Sequence, residues 1–330
     1  MILVVGAGVM GLATAYALAR GGHDVRVVEQ FGLDHRRGSS YGASRIFRLS
    51  YAEPEWVRLA QESLAAWRAL ERETGETLLE LTGLLEPDDG SRAALEACGV
   101  AFESLSADEV ARRFRLAVQR PCIFQPDAGI VYAERARHAF FSAGFRVDDD
   151  TRLASLAEVD ADVIVVTAGS WAKPLLAAAG ISLPVVATRE TVAYFALAAD
   201  GPVPSLIDEA AAPAGQAYYA LAAPGVGVKA GLHRSGRPVD PDHDGAPDAE
   251  VVQRVSEWVR EHFPVADAAP VHVETCLYTN APNERFILER HGRIVVGSPC
   301  SGHGFKFAPV IGERLAALAL SAAAERPSVG

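Results

Sequence analysis

The chain has 330 residues, 49% of them hydrophobic and 22% charged, with a formal net charge of −11 at pH 7. That apolar content is enough for a large buried core and excludes a disordered chain. An acidic surface repels phosphate backbones and anionic lipid, so neither nucleic acid nor a membrane is expected as a partner.

Met1 to Arg20 are almost wholly apolar, which a signal peptide would also be. The stretch lacks a basic start, and its glycines fall in a pattern of their own, so it reads as the opening of a soluble, cytoplasmic protein. No other uninterrupted apolar run reads as long enough to cross a bilayer. Ile2 to Val5 suits a buried parallel strand, Val9 to Arg20 a helix stopped by Gly21-Gly22, and Val25 to Val28 a second strand ending in Glu29. A loop from Asp34 to Ser44 follows, with Arg36, Arg37, Arg45 and Arg48 forming a basic patch on the acidic chain. Glu53 to Thr74 reads as a long amphipathic helix, with Trp56, Leu59, Leu64, Trp67 and Leu70 toward the core.

Leu81 to Leu85 is expected to be a strand, Ser91 to Cys98 and Ala107 to Phe114 short helices, and Ile123 to Tyr132 extended around Pro126 to Gly129. Ala133 to Ala143 is a helix and Asp162 to Thr167 another buried strand, closed by Ala168-Gly169. Strand-like patterns run from Val185 to His233, followed by a surface loop at Arg237 to Asp248 and a helix at Val251 to His262. Strands at Val271 to Tyr278, Arg285 to Leu288 and Ile294 to Val296 precede a last helix, Val310 to Ala324.

Continuous apolar strands thus occur at the start, near 165 and near 295, with alternating strands between. The expected class is α/β, with α+β character in the substrate domain: a Rossmann-like nucleotide domain from segments 1–50, 145–180 and 285–330, interleaved with a mixed-sheet substrate domain from 51–144 and 181–284. Cys98, Cys122, Cys276 and Cys300 lack metal-ligand spacing and are too few for a disulfide framework, so reduced thiols and no metal are expected.

In Gly6-Ala7-Gly8-Val9-Met10-Gly11 the first glycine permits a tight turn, the second lets a pyrophosphate approach backbone, and the third lets helix pack on strand. Phosphate then meets the free N–H groups of the helix N-terminus at Val9 and Met10. Glu29 is placed to accept from ribose hydroxyls and would repel a 2′-phosphate. The fingerprint selects an ADP-containing dinucleotide without separating NAD from FAD.

Gly38-Ser39-Ser40-Tyr41-Gly42-Ala43-Ser44-Arg45-Ile46-Phe47-Arg48 follows the second strand, and its two arginines would share a face if the segment were helical. With Thr275-Cys276-Leu277-Tyr278-Thr279 and Ser301-Gly302-His303-Gly304-Phe305-Lys306-Phe307, the chain resembles the monomeric sarcosine oxidase and N-methyltryptophan oxidase group of the D-amino-acid-oxidase-like flavoenzymes. The likeness runs in order along nearly the whole chain, and the last block is the most specific.

The resemblance implies FAD, bonded through the Cys276 sulfur, held by the glycine turn and by Ser39, Ser44, Thr167, Gly169, Gly302, His303 and Gly304. It implies that Lys306 and Arg48 grip a substrate carboxylate, that Lys229 and Arg45 flank the flavin, with Lys229 favouring oxygen reduction, and that His233, Tyr219 and Tyr278 line the substrate pocket. It also implies a monomer that oxidises a secondary (N-methyl) or cyclic amino acid, with dioxygen reduced to hydrogen peroxide. Alternatives are a flavin dehydrogenase with another acceptor, a NAD-binding protein, and a non-catalytic flavoprotein. The sequence departs from the family at Pro299 and Cys300, where glycine and an aromatic residue are usual, at Ser40-Tyr41 in place of a histidine pair, and between Phe145 and Val163, where a hairpin is missing. Cys300 is a second thiol that rivals Cys276 for the flavin.

Overall fold

A computed structural model describes residues 1–87, 90–198, 203–267 and 269–325; positions 88, 89, 199–202, 268 and 326–330 fall within the segments assigned above and lie outside the described residues. Strand Ile2–Val5 is buried throughout and pairs in parallel with Val25–Val28 on one side and Val163–Val166 on the other. Val163–Val166 pairs in parallel with Ile294–Ser298. The three apolar runs are therefore neighbours in one sheet, where cover on both faces demands an apolar side chain at each position. Ile287–His291 flanks this sheet antiparallel at one edge. At the other edge lies Arg146–Asp148, parallel to Val25–Val28. That strand was not foreseen, since three residues with a charge at either end carry no readable period.

Helices Val9–Arg20 and Ala308–Ala324 pack together on this sheet. A Cβ at Gly312 would lie 2.6 Å from the Ala13 backbone, so glycine sets their close approach. Phe305–Ala324, although interrupted by Glu313 and Arg314, is long and apolar enough to cross a membrane by length and composition. Here that apolarity belongs to a core helix: Val310, Ile311, Leu315 and Ala319 are buried in one cluster with Leu12 and Ala15. Helix Pro54–Thr74 joins the same core, and Trp67, fully buried, donates its indole N–H to the Lys306 carbonyl at 2.7 Å.

A broad second sheet runs in the order Arg237–Pro238, Val186–Ala196, Gly227–His233, Ala217–Ala223, Ser205–Asp208, Leu84–Glu86, Cys122–Gln125 and Glu103–Leu105, with His272–Asn280 on the other side of Val186–Ala196. Helix Ala249–His262 covers one face, where Trp258 stacks on Tyr218 with ring centroids 5.2 Å apart. The opposite face carries the site. A third, small sheet orders Ser44–Phe47, Gly129–Tyr132 and Leu79–Glu80.

In this region one condition is not met and one expectation is corrected. Ser44–Phe47 is a strand and not a helix, because Phe47 is driven fully into the core while the chain pairs with Gly129–Tyr132. The run Leu81 to Leu85 is split into Leu79–Glu80 and Leu84–Glu86, which belong to different sheets. The break is Gly83, at φ +89°, whose missing Cβ makes room for the Phe124 ring.

Candidate active site

A cavity of about 950 Å³ runs from the carboxyl ends of the parallel strands to the face of the broad sheet. All the residues expected in the site line it except Gly11. Gly11 acts through packing: a Cβ there would lie 1.8 Å from the Gly6 carbonyl, so only glycine lets the helix sit on the turn.

At the nucleotide end, Gly6 has φ +102°, a conformation that suits glycine, and Gly8 caps the helix without a side chain. Ser40 Oγ accepts from Val9 N–H at 3.0 Å, so that N–H, expected to be free for phosphate, is already taken, and the serine that departs from the family pattern braces the turn. Glu29 accepts from Ala7 N–H at 2.8 Å and Phe31 N–H at 3.1 Å. Its carboxylate thus positions the glycine turn and still has acceptor sites for a ribose. Thr167 donates to the Val5 carbonyl at 3.1 Å, which makes it a brace of the strand ends, and Gly169 begins the next turn at φ +53°. Buried Arg137 Nε and Ser298 Oγ face this cavity without a protein partner. Neither was picked out from sequence, because a single arginine on a helix or serine on a strand has no distinguishing pattern. The side-chain-free glycine turn, an acid for the ribose and unpaired buried donors fit a dinucleotide such as FAD.

Pairing register builds the other wall. Lys229 is opposite Tyr194 and Leu221, Gly231 is opposite Val192 and Tyr219, and Cys276 is opposite Glu190. Residues two apart share a face, so Lys229 and His233, Cys276 and Tyr278, and Tyr219 all project to the cavity. The adjacent Tyr218 goes to the opposite core, as alternation along the strand requires. Tyr219 lies across Gly231, where a Cβ would come within 2.6 Å of its hydroxyl.

The Gly38–Tyr41 loop lies along strand His272–Asn280. Leu277 N–H donates to the Gly38 carbonyl at 3.3 Å, Ser39 Oγ donates to the Leu277 carbonyl, and Tyr41 hydroxyl donates to the Thr275 carbonyl. Arg45 wraps back onto the Ser39 carbonyl at 2.9 Å, and Ser44 Oγ bonds the Ala222 carbonyl at 2.7 Å. Arg48 reaches the cavity from beyond the strand's end. Its guanidinium lies over the Tyr51 ring, 4.2 Å from the centroid, and bonds Glu86 at 3.0 Å.

The loop 299–306 folds tightly. Gly302 is at φ +76°, with Tyr278 and His233 packed where a Cβ would sit, and Gly304 lies against the Pro299 carbonyl. Lys306 donates to the His303 carbonyl at 2.7 Å. His303 contacts Trp56 at a centroid distance of 5.1 Å; Trp56, expected in the core, packs against it while partly buried and also lines the cavity. Cys300 Sγ accepts from Thr279 N–H at 3.4 Å, and both Cys276 and Cys300 are free thiols on the cavity wall.

Electrostatics follow from burial. Burial, with Arg45 adding repulsion, lowers the Lys229 ammonium to about 8. Burial and then Arg48 push Lys306 well below the ordinary lysine range. Burial and then Lys306 lower His303 to about 3. The Cys276 thiol is pushed up to about 11 by burial, against the pull of Lys229 and Arg45. Tyr219 and Tyr278 are raised, chiefly by burial. Burial would raise Glu284, but His233 (3.1 Å) and then Arg234 draw it down to about 2.

The chain matches the family described as FAD dependent oxidoreductase (DAO) over residues 1–318. It is 34% identical to peroxisomal sarcosine oxidase of Mus musculus, across 96% of this chain and 91% of that one. Monomeric sarcosine oxidase of Bacillus sp. (strain B-0618) is 29% identical across 98% of this chain and 93% of its own. Among solved structures, the open form of NikD, an unusual amino acid oxidase essential for nikkomycin biosynthesis, superposes with a TM-score of 0.87 at 27% identity, covering 100% of this chain and 95% of that chain. Matched from its first strand into its last helix, the chain belongs to the DAO family of FAD-dependent oxidoreductases.

Proposed function

We propose that this protein oxidises the C–N bond of a secondary (N-methyl) or cyclic amino acid and passes the electrons to dioxygen. The observation that carries the reading is one continuous cavity, with the glycine turn and Glu29 at one end and buried Lys306 and Arg48 at the other. FAD, when bound, supplies the two-electron acceptor that takes a hydride equivalent from the substrate and gives hydrogen peroxide with oxygen. The protein's part is to orient and to provide charge.

Lys306 and Arg48 both face the Tyr51 ring, and together they take a carboxylate. An incoming carboxylate relieves the repulsion between the two cations and favours the Lys306 ammonium. His233, Tyr219 and Tyr278 set the amine end by hydrogen bonding and shape. Buried Lys229 presents positive charge where oxygen gains negative charge. The imine product is then hydrolysed by water, to formaldehyde and a primary amine when an N-methyl group was oxidised.

Sulfur linkage of the flavin through Cys276 is part of the proposal, supported by its position on the cavity wall beside Lys229 and Arg45. So are a cytoplasmic monomer, in keeping with four free thiols, and the division into a flavin-holding part (1–50, 145–180, 285–330) and a substrate part (51–144, 181–284).

Anaerobic mixing with a panel of N-methyl and cyclic amino acids is expected to bleach the flavin absorbance, with peroxide formed on readmitting air. Absence of bleaching across the panel rules out this substrate class. Acid precipitation followed by peptide mapping is expected to find flavin on Cys276; flavin on Cys300, or none retained, overturns the linkage.

A further inference from the structure

One acid on the cavity-side face of the broad sheet serves neither the cofactor turn nor the carboxylate grip. Glu274 stands two residues before Cys276 on the same strand, so alternation puts both on the face that carries Lys229. Its Oε1 lies 3.9 Å from Lys229 Nζ and accepts the Tyr194 hydroxyl, while its Oε2 lies 3.6 Å from His272 Nε2. Lys229 Nζ in turn lies 5.4 Å from the Tyr194 ring centroid. The lysine and glutamate side chains are 7% and 15% exposed, whereas His272 is 54% exposed, so the pair is largely buried beside a solvent-facing histidine.

Each element packed around Lys229 contributes to its charge state. Arg45, from strand Ser44–Phe47, opposes an ammonium. Glu274 favours it from strand His272–Asn280, where Cys276 is a neutral neighbour as a thiol. Val186–Ala196 offers the face of Tyr194, and Ala217–Ala223 offers the apolar Leu221 opposite the lysine and, two residues along on the same face, the hydroxyl of Tyr219. Glu274 is the acid paired with Lys229 among the described residues. A buried ammonium beside a guanidinium needs such a counter-ion to stay charged.

We propose that Glu274 is a positioning residue for the oxygen half of the reaction, holding Lys229 in place and in its ammonium form. This rests on the reading of Lys229 as the charge beside which oxygen is reduced. Tyr194 fixes the carboxylate rotamer, and His272 adds a second contact from the solvent side.

The test uses holoenzyme carrying Glu274→Gln, which keeps shape and removes charge. The pH dependence of Lys229 acetylation by trace acetic anhydride, read by mass spectrometry, is expected to shift its midpoint down by about one unit. In stopped flow, reoxidation of the substrate-reduced enzyme is expected to slow by about twofold at pH 7 and by close to tenfold at pH 9, more than flavin reduction does, and its pH bend to move down by about one unit. Glu274→Asp, which keeps the charge and shortens the reach, is expected to fall between, and it serves as the test if the glutamine variant does not accumulate. An unmoved Lys229 midpoint in a folded variant overturns the proposal. If Lys229→Met leaves reoxidation unchanged, the oxygen role of Lys229 falls, while the labelling midpoint still decides whether Glu274 sets its charge.

Discussion

Arg48 and Glu86 form a buried ion pair, 3.0 Å apart, with side chains only 19% and 7% exposed. Glu86 is itself held by Ser91 Oγ at 2.7 Å. The arginine assigned to the substrate carboxylate therefore already has a carboxylate, and the substrate has to share it. Glu86→Gln keeps a hydrogen-bond acceptor and removes the competing charge. KM for carboxylate-bearing substrates is expected to fall several-fold, with stability reduced by about 1–3 kcal/mol because Arg48 loses its counter-ion. Steady-state kinetics and urea unfolding measure the two effects. A raised KM would show instead that Glu86 is needed to hold Arg48 for the substrate.

Two glycines with positive φ make a matched pair of tests. A Cβ at Gly302 (φ +76°) would lie 2.2 Å from the Tyr278 ring and 2.8 Å from His233, whereas Gly292 (φ +61°) has nothing within 4 Å. Both alanine variants incur the left-handed backbone cost of about 1 kcal/mol. Only Gly302→Ala should also displace the substrate wall, lowering kcat/KM at least tenfold while Gly292→Ala stays within twofold. Equal effects on turnover would remove the packing argument.

The loop after Arg237–Pro238 straps the cofactor end. Asp242 accepts from Trp171 Nε1 at 2.7 Å and Arg152 at 2.9 Å, and Asp244 accepts from Arg37 at 3.2 Å. Trp171, Arg152 and Arg37 all line the cavity, close to the abbreviated stretch after Phe145. In a Cys276→Ser background, which removes the proposed covalent link, Asp242→Ala is expected to weaken FAD retention by about thirtyfold, from two lost hydrogen bonds of ~1 kcal/mol each. Cofactor loss on ultrafiltration reads this directly, and unchanged retention would mean that the strap does not guard the site.

His303 predicts an acid sensitivity. Its folded-state value, about 3, lies below the ordinary histidine range because of burial and then Lys306. Between pH 6.5 and 3 the unfolded chain binds a proton that the folded chain refuses. Stability from this group is thus fully present above pH 6.5 and is lost as pH falls toward 3. Comparing urea unfolding of wild type and His303→Gln, the pH dependence of the variant should be flatter by about 2 kcal/mol between pH 6.5 and 5. Parallel curves would show that His303 is protonated in the folded protein.

Local pattern was enough for much of this protein. The buried strands at Ile2–Val5, Val163–Val166 and Ile294–Ser298, the glycine turn with Glu29, and the glycine–histidine–lysine loop are each written in consecutive residues, because burial on both faces, a left-handed turn or a close backbone approach restricts residue type on the spot. Alternation along Gly227–His233 likewise places Lys229 and His233 on one face. Tertiary structure alone decided which charges meet. Arg48 finds Glu86 across 38 positions, Trp171 finds Asp242 across 71, and Lys229 meets Glu274 only because both strands pair with Val186–Ala196. It also gave Trp56 a place on the cavity wall as well as against the core, and brought Arg137, whose Nε lacks a protein partner, to the same cavity. Hydrophobic periodicity reports the environment of each residue along its own element, whereas ion pairs depend on register between elements distant in the chain, and no local period encodes that register.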